Sequence, residues 1–320
     1  MQYRKFGRTG WQVSDVGYGM WGMGGWTGSD DEESLASLQR SVDLGCNFFD
    51  TAWVYGNGRS EALLGKLIRA NPDKKLYTAT KIPPKNMQYP TLPEFSLDEC
   101  YPPEHIEEFL HKSLENAELE SFDLLQIHTW NDDWTDDDRW SNKLDDMKRQ
   151  GLITACGISI NRWEPWNGVK AVRSGKIDSV QVVYNIFDQN PEDELFPACE
   201  EMNVAVIARV PFDEGSLTGT MTIETTFQDG DFRNVYFSPD KLGPIIEHVD
   251  ALKPLVPVDS SMPEMALRFI LSDNRVSTII PGMRKANHVD ANIAASDLGG
   301  LSPEMIGRLR EHRWERKPKP

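Results

Sequence analysis

Short apolar runs recur along the chain and alternate with stretches of helical periodicity. Each run shows little alternation between apolar and polar residues, which is typical of strands that are buried on both faces. We therefore predict eight strands, at residues 16–19, 47–50, 76–81, 122–128, 154–159, 179–183, 204–209 and 276–280.

The segments between these runs carry apolar residues on one face at helical spacing. The first predicted helix covers residues 31–44. Ser29 and Glu32 stand before it at the spacing of a capping box, and Gly45 follows its end. Further helices are predicted at residues 60–69, 104–118, 140–150, 192–202 and 263–272.

Eight strand–helix alternations are typical of a (β/α)8 TIM barrel, here expected as one domain over residues 1–320. An open doubly wound sheet has the same local pattern and stays open as the rival. Residues 1–16 predict an N-terminal β-hairpin that closes the lower end of the barrel. Ser302, Pro303 and Glu304 predict the start of a C-terminal helical extension.

One connection is too long for a plain loop between a strand and a helix. Residues 211–262 are rich in Gly, Pro and Asp. Loops of that length are usually functional lids or disordered segments. We expect one or the other here.

Charge and composition narrow the class of protein. The net charge is −16, which disfavours nucleic acid and anionic membranes as partners. The four cysteines lie far apart, so neither a disulfide framework nor a zinc site is expected. No apolar leader is visible, and no run approaches the roughly 18 apolar residues of a membrane span. These features favour a soluble, cytoplasmic protein that binds any anionic cofactor through a local basic cluster.

A glycine-rich motif near the N-terminus resembles the fingerprint of a dinucleotide-binding fold. Residues 17–22 read GYGMWG and follow a predicted strand. In that fold a helix opens at the third glycine and faces the pyrophosphate. More glycines follow here, and the helix is expected only near Asp30. We interpret the motif as a glycine-rich loop over a pocket.

Four polar residues stand at or just beyond the ends of consecutive predicted strands. Asp50 ends the second strand, Tyr55 lies in the loop that follows it, Lys81 ends the third and His128 ends the fourth. Because the carboxyl ends of barrel strands meet at one mouth, these side chains are expected to converge. Taken singly, each also has a structural explanation, such as a buried ion pair or a hydrogen-bonded histidine.

Together these residues suit the protonation of a carbonyl oxygen. A tyrosine has a pKa near ~10, and a neighbouring Lys81 cation is expected to lower it. Asp50 would hold the lysine in place. His128 would orient the carbonyl group or share the proton with Tyr55.

The sequences around these residues resemble those of the aldo-keto reductase family. The run FFDTAWVYGNGRSEALLG, residues 48–65, is similar to the segment around the family's catalytic Asp and Tyr. TATK at residues 78–81 resembles its lysine strand, and DLLQIHTW at 123–130 its histidine strand. IIPGMRKANHVDAN at 279–292 resembles its cofactor segment, and the opening residues match its hairpin. The matches run in order from about residue 3 to residue 298.

The resemblance implies a catalytic tetrad of Asp50, Tyr55, Lys81 and His128, and NADPH or NADP+ as cofactor, with NADH possible but weaker. Arg284 would stack on the adenine and bind the 2′-phosphate. The cofactor contacts that the resemblance implies are Met20, Asp50, Ser159, Gln181, Arg209, Gly215, Ser216, Leu217, Gly282, Arg284, His288 and Asn292.

Three positions depart from the family pattern. Ile160 follows Ser159 where the family often has Asn, so whether Asn161 takes over the carboxamide contact is open. Arg209 stands where many members stack a Tyr on the nicotinamide, and a guanidinium plane can also stack. His288 stands where Gln is frequent.

Tryptophans are expected at the mouth. Trp21, Trp53 and Trp130 are predicted to line a substrate pocket for an apolar or sugar-like carbonyl compound, although they could equally cover the barrel. The acidic stretch 132–138 contains no histidine and is interpreted as a solvated loop, so no metal is expected.

The sequence therefore predicts an NADPH-dependent oxidoreductase that reduces a small aldehyde or ketone to an alcohol by direct hydride transfer. A monomer is expected, with an oligomer left open. The alternative is a nicotinamide-binding regulatory or sensing protein on the same barrel, which the full tetrad disfavours. A barrel isomerase or hydrolase without nicotinamide is disfavoured by residues 282–292.

Overall fold

Eight parallel strands form a barrel at the centre of the computed structural model, which describes residues 1–25, 28–317 and 319. Each barrel strand pairs with its neighbour in chain order, and bridges from Val16 to Ile279 and from Gly19 to Gly282 bring the last strand beside the first. The predicted (β/α)8 barrel is confirmed. The strands are β1 (Tyr3–Phe6), β2 (Trp11–Ser14), β3 (Tyr18–Gly19), β4 (Phe48–Asp50), β5 (Tyr77–Ile82), β6 (Phe122–His128), β7 (Ile153–Ser159), β8 (Ser179–Val183), β9 (Ala205–Arg209) and β10 (Val276–Ile279).

Helices lie around the barrel, and each of them has at least one buried residue. They are α1 (Asp31–Asp43), α2 (Arg59–Ala70), α3 (Leu97–Cys100), α4 (Pro103–Ala117), α5 (Asp138–Arg149), α6 (Val169–Ser174), α7 (Leu195–Met202), α8 (Arg233–Tyr236), α9 (Pro239–Leu252), α10 (Met262–Leu271), α11 (Ala286–Leu298) and α12 (Pro303–Arg310). Within the described ranges, none of these helices combines the length and apolar character needed to span a membrane.

The predicted N-terminal hairpin is confirmed. Strands β1 and β2 pair antiparallel, and Gly10 takes a left-handed conformation in the turn between them, with φ 75°. Phe6 and Val13 pack against Phe48 and Leu124 in a small core of their own. The hairpin thereby closes the end of the barrel opposite the carboxyl ends of the strands.

The cap of the first helix differs from the prediction by one residue. Asp30, not Ser29, is the N-cap of α1, and its side chain accepts the backbone N–H of Glu33 at 2.8 Å. Asp30 and Glu33 have the same spacing as Ser29 and Glu32. Since both pairs satisfy the capping pattern, the sequence could not distinguish them.

The glycine-rich motif lies where the first and last strands of the barrel meet. A 3₁₀ turn, Trp21–Met23, follows β3, and α1 begins only at Asp31. A Cβ atom on Gly19 would lie 2.5 Å from the carbonyl oxygen of Ile280, at the junction of the first and last strands. The close approach of these two backbones explains the glycine there.

The long connection after β9 is ordered, and it contains a helix that the composition did not suggest. Helix α9 has Gly243 and Pro244 in its interior, where both residues are unfavourable, whereas Pro239 stands at its first position, where proline is tolerated. It nevertheless buries Ile245 and Val249 at helical spacing. Tertiary packing of this apolar face outweighs the poor local propensity.

Two glycines in other helices provide a matched test of how closely the helices pack on one another. A Cβ on Gly65 in α2 would overlap the carbonyl oxygen of Ala117 in α4, whereas one on Gly307 in α12 would meet nothing described within 4 Å. Gly65→Ala should lower the free energy of unfolding by about 1–3 kcal/mol because it forces two helices apart. Gly307→Ala should raise it by about 0.5–1 kcal/mol. Urea unfolding of both variants measures this, and equal effects would contradict the close packing of α2 on α4.

Candidate active site

The carboxyl ends of β4, β5 and β6 bring three of the predicted catalytic residues to one mouth. Asp50 ends β4, Lys81 lies near the end of β5 and His128 ends β6. Tyr55 lies in the loop between β4 and α2, and its backbone N–H donates to the carbonyl oxygen of Ala52 at 3.0 Å. The convergence expected from the strand ends is therefore present.

Lys81 is the centre of the cluster. Its side chain is fully buried, and its Nζ donates to Asp50 Oδ2 at 2.5 Å, to the carbonyl oxygen of Thr51 at 2.7 Å and to Tyr55 Oη at 3.4 Å. An ammonium group has three N–H donors, so all three are used. These three hydrogen bonds hold the ammonium group of Lys81 beside the phenol of Tyr55.

Asp50 is held as firmly as the lysine. Its second oxygen, Oδ1, accepts Nε2 of Gln126 at 3.0 Å and Nε2 of Gln181 at 2.8 Å. The sequence interpretation missed Gln126 and gave Gln181 only a cofactor contact. The signal for Gln126 was its place on β6 directly opposite Lys81 in the strand register.

Tyr55 is a weaker acid here than the sequence suggested. Burial raises the pKa of Tyr55 above its ordinary value of 10.0, although the Lys81 and Arg209 cations pull it down. The expected lowering of the pKa by Lys81 is present, but the removal of water from the phenolate outweighs it, so the net pKa is raised. The phenol carries its proton at neutral pH.

His128 lies beside Tyr55 as a neutral imidazole. The two ring centroids are 6.4 Å apart, with the ring planes at 84°. Burial, together with the Lys81 and Arg209 charges, holds the pKa of His128 well below its usual 6.5. Its Nδ1 is buried with no hydrogen-bond partner in the described part of the chain.

Arg209 adds a second cation to the site. It ends β9, and its Nη2 donates to the carbonyl oxygen of Ile160 at 2.9 Å. Burial and the neighbouring Arg162 lower the pKa of Arg209 to about 10. Its charge lowers the pKa of both Tyr55 and His128, so Arg209 belongs to the same cluster of side chains.

The predicted cofactor residues Ser159, Gly215 and Gly282 lie around this cluster, together with Asn161, whose contact the sequence left open. Ser159 Oγ and Asn161 Oδ1 are buried without a partner among the described residues, and Asn161 Nδ2 donates to the carbonyl oxygen of Thr91 at 2.7 Å. Buried polar atoms are normally paired. A Cβ atom on Gly215 or Gly282 would meet nothing described within 4 Å, so backbone is open to a ligand there. These features fit a nicotinamide dinucleotide.

The other end of the predicted cofactor site lies between the glycine-rich loop and α11. The carbonyl oxygen of Met283 accepts Tyr18 Oη at 2.7 Å and Ser37 Oγ at 2.5 Å. These bonds fix the residue before Arg284, whose Cδ lies 3.0 Å from the position of a Cβ on Gly22. His288, which is exposed, and Asn292, which is buried, follow on α11.

The remaining predicted cofactor residues are buried in loops at the mouth. The N–H of Met20 donates to the carbonyl oxygen of Asp50 at 2.9 Å, which ties the first loop to the tetrad. Ser216 and Leu217 lie in the 3₁₀ segment Asp213–Thr218, where Ser216 Oγ donates to Asp213 Oδ2 at 2.6 Å.

Comparison with known proteins agrees with this geometry. The profile described as Aldo/keto reductase family matches residues 15–313. The chain belongs to the aldo-keto reductase family. It is an NAD(P)H-dependent oxidoreductase.

Relatives of this aldo-keto reductase span almost its whole length. Aldo-keto reductase YhdN of Bacillus subtilis is 28% identical over 300 residues, covering 91% of this chain and 87% of its own. The NADH-specific methylglyoxal reductase of Escherichia coli is 26% identical, covering 95% and 96%. The holo structure of aldo-keto reductase AKR11C1 from Bacillus halodurans has a TM-score of 0.78 at 24% identity, covering 98% and 96%. The last comparison shows the shared fold.

Exposed aromatic rings mark the rim of the reductase's mouth. Trp21 is 42% exposed and lies edge-on to Phe232, which is 43% exposed, with ring centroids 6.4 Å apart. Tyr89 is 41% exposed, and its ring lies 5.2 Å from that of His128. Trp53 is half-buried against Phe109. The sequence interpretation missed Tyr89 and Phe232, because both lie in long loops.

Trp130 is not at the mouth in this structure, which differs from the prediction. Its side chain is fully buried, its rings pack edge-on to Trp134 and Trp140, and its Nε1 donates to Asp132 Oδ1 at 2.8 Å. The chain turns after β6 and directs the indole into the helical layer. Asp132 also accepts the backbone N–H of Lys170 at the start of α6, so the acidic stretch is partly structural.

The neutral state of His128 has a consequence for stability. An unfolded chain takes up a proton at this position as the pH falls below ~6.5, whereas the folded chain does not until much lower pH. The histidine should therefore reduce the free energy of unfolding as the pH falls, by up to about 1.4 kcal/mol per pH unit. Replacing it, as in His128→Asn, should remove that component. Urea unfolding of both chains between pH 5 and about 7.5 measures this. A constant difference between the two chains over that range would show that His128 titrates normally.

Proposed function

We propose that this aldo-keto reductase reduces a small aldehyde or ketone to an alcohol, with NADPH as the cofactor and Tyr55 as the proton donor. The observation that carries the proposal is the bonded series Asp50–Lys81–Tyr55 at the mouth of the barrel, with Lys81 Nζ 3.4 Å from Tyr55 Oη. In this series the protonated phenol of Tyr55 lies beside the buried Lys81 cation, where it could donate to a substrate at the mouth.

Tyr55 gives its proton to the carbonyl oxygen of the substrate. Bound NADPH supplies the hydride that the carbonyl carbon needs to become an alcohol. The phenolate left on Tyr55 is stabilised by Lys81 and by the Arg209 charge, and it recovers a proton from solvent after the alcohol departs. His128, which is neutral, is placed to hydrogen-bond the carbonyl oxygen and orient it.

Ser159, Asn161 and Arg209 would hold the nicotinamide end of the cofactor, and Gly282, Arg284, His288 and Asn292 the adenosine end. The buried unpaired oxygens of Ser159 and Asn161 suit the carboxamide, which both donates and accepts hydrogen bonds. Arg284 is the candidate ligand of the 2′-phosphate and the reason for proposing NADPH over NADH.

The exposed rings of Trp21, Tyr89 and Phe232 favour a substrate whose carbonyl group carries an apolar or aromatic substituent. Burial of such a group against these rings would exclude water from the carbonyl. A binding protein without turnover is the second candidate. Among the described residues, the Lys81–Tyr55 pair speaks against it, since cofactor binding alone does not require a buried lysine bonded to Tyr55.

The role of Tyr55 is tested by removing one hydroxyl group. Tyr55→Phe should lower kcat by at least ~10²-fold, the scale of a positioned acid, while NADPH still binds. Tyr3→Phe loses the same group on the hairpin, where the hydroxyl donates to the carbonyl oxygen of Gly45, and should keep its activity. Carbonyl-dependent loss of NADPH absorbance over a panel of apolar and polar aldehydes measures both. Turnover by Tyr55→Phe at the parental rate would exclude this proton donor.

Cofactor preference tests Arg284. Arg284→Ala should weaken NADPH binding by about 1.5–3 kcal/mol, the contribution of hydrogen bonds to a charged group. NADH has no 2′-phosphate and should lose much less, only the adenine contact. Lys285→Ala removes the adjacent exposed cation and controls for general charge. Fluorescence titration with both cofactors gives the ratio. Equal losses for NADPH and NADH would assign the phosphate to another residue.

A further inference from the structure

The C-terminal tail, residues 311–317, returns from α12 to the carboxyl end of the barrel. The N–H of Trp314 donates to the carbonyl oxygen of Phe187 at 2.8 Å. The indole of Trp314 stacks on His248 of α9, with ring centroids 4.0 Å apart and planes at 22°. The tail is thus attached both to the barrel and to the long connection after β9.

Arg316 is the residue of this tail that enters the interior. Its side chain is only 7% exposed, and Nη1 donates to Asp213 Oδ1 at 2.7 Å and to Tyr236 Oη. Its Nε lies 3.6 Å from Asp188 Oδ1. A buried charge is tolerated only with such partners, so Arg316 and the two carboxylates depend on one another.

Asp213 connects Arg316 to the segment proposed to bind the cofactor. While Oδ1 accepts from Arg316, Oδ2 accepts from Ser216 Oγ at 2.6 Å. Burial alone would raise the pKa of Asp213, but the Arg316 guanidinium brings it below its ordinary value, so the carboxylate stays charged for both bonds.

The turn at residues 210–218 needs contacts from other parts of the chain because several of its residues have unfavourable backbone conformations. Val210, Asp213 and Glu214 are not glycines, yet they have φ values of 56°, 46° and 56°. Such conformations persist where the surroundings impose them. Arg162 pairs with Glu214 on one side, and Arg316 pairs with Asp213 on the other. Two arginines from different parts of the chain therefore hold this one turn.

We propose that Arg316 is a positioning residue for the cofactor: by binding Asp213 it sets the conformation of residues 215–217, so that docking of the tail and binding of NADPH stabilise each other. This inference rests on the proposed function, in which these residues contact NADPH. Lys317 extends the connection, since it pairs with Glu164, whose other oxygen accepts Nδ2 of Asn161 at 3.0 Å.

Arg316→Met tests the proposal against a matched control. Fluorescence titration should show NADPH binding about 5- to 150-fold weaker, the usual range for coupling between sites. The KM for NADPH should rise, while kcat at saturating NADPH changes far less, because the tetrad is untouched. Arg313→Met removes a tail arginine whose partners, Asp193 and Glu315, lie at the surface, and it should bind NADPH as the parent does. Equal NADPH affinity in the parent and Arg316→Met would overturn the inference and leave the proposed function standing.

The unchanged chain gives a second measurement that does not depend on the folding of a variant. By reciprocity, NADPH should slow hydrogen exchange in residues 311–317 as well as in 213–218. Protection of 213–218 with no effect on 311–317 would overturn the coupling. If the parent fails to bind NADPH at all, the proposed function falls first, and the inference falls with it.

Discussion

The buried ion pair of Lys81 and Asp50 is the interaction on which the rest of the site depends. Removing an ammonium group and a carboxylate from water costs several kcal/mol for each ion, and the cost is offset only by close and complete pairing. Here every donor of Lys81 is used, and both oxygens of Asp50 accept: Oδ2 from Lys81, and Oδ1 from the amides of Gln126 on β6 and Gln181 on β8. Strands β4, β5, β6 and β8 must therefore be in register before the charge is accommodated, and Tyr55 lies beside the same lysine.

The net negative charge of the chain is unfavourable for binding a dinucleotide phosphate. A chain with a net charge of −16 repels a dinucleotide phosphate at long range. Local cations are Arg209 beside the tetrad and Arg284 before α11. Arg162 and Arg316 are paired with Glu214 and Asp213, so they stabilise the 3₁₀ segment Asp213–Thr218 rather than add net positive charge. Those at the mouth are partly or fully removed from water, where salt screens their charge less and their direction is set by hydrogen bonds.

Burial also determines two properties that the neighbouring residues alone do not predict: the pKa of Tyr55 and the location of Trp130. A lysine next to a tyrosine suggests an acidified phenol, yet the pKa of Tyr55 lies above its usual value because the loss of water acts against the phenolate more strongly than the cation acts for it. The location of Trp130 likewise differs from what its place in the sequence suggests. It stands two residues beyond the end of β6 in the sequence, but its ring packs edge-on to Trp134 and Trp140. Neither outcome can be read from neighbours along the chain.

The sequence pattern predicted eight parallel strands, the hairpin and the four residues that converge on the mouth, whereas closure of the sheet into a barrel came from the bridges between the first and last strands. Strand periodicity is local, and the carboxyl ends of parallel strands must meet, so Asp50, Lys81 and His128 could be placed together before any coordinates were known. Only the tertiary structure decided the support for that cluster. Gln126 faces Lys81 across a strand pair, and Arg316 reaches Asp213 across 103 positions of the chain. Contacts of that separation depend on how helices and loops pack around the barrel, and side-chain packing between distant segments leaves no periodic signal in the sequence.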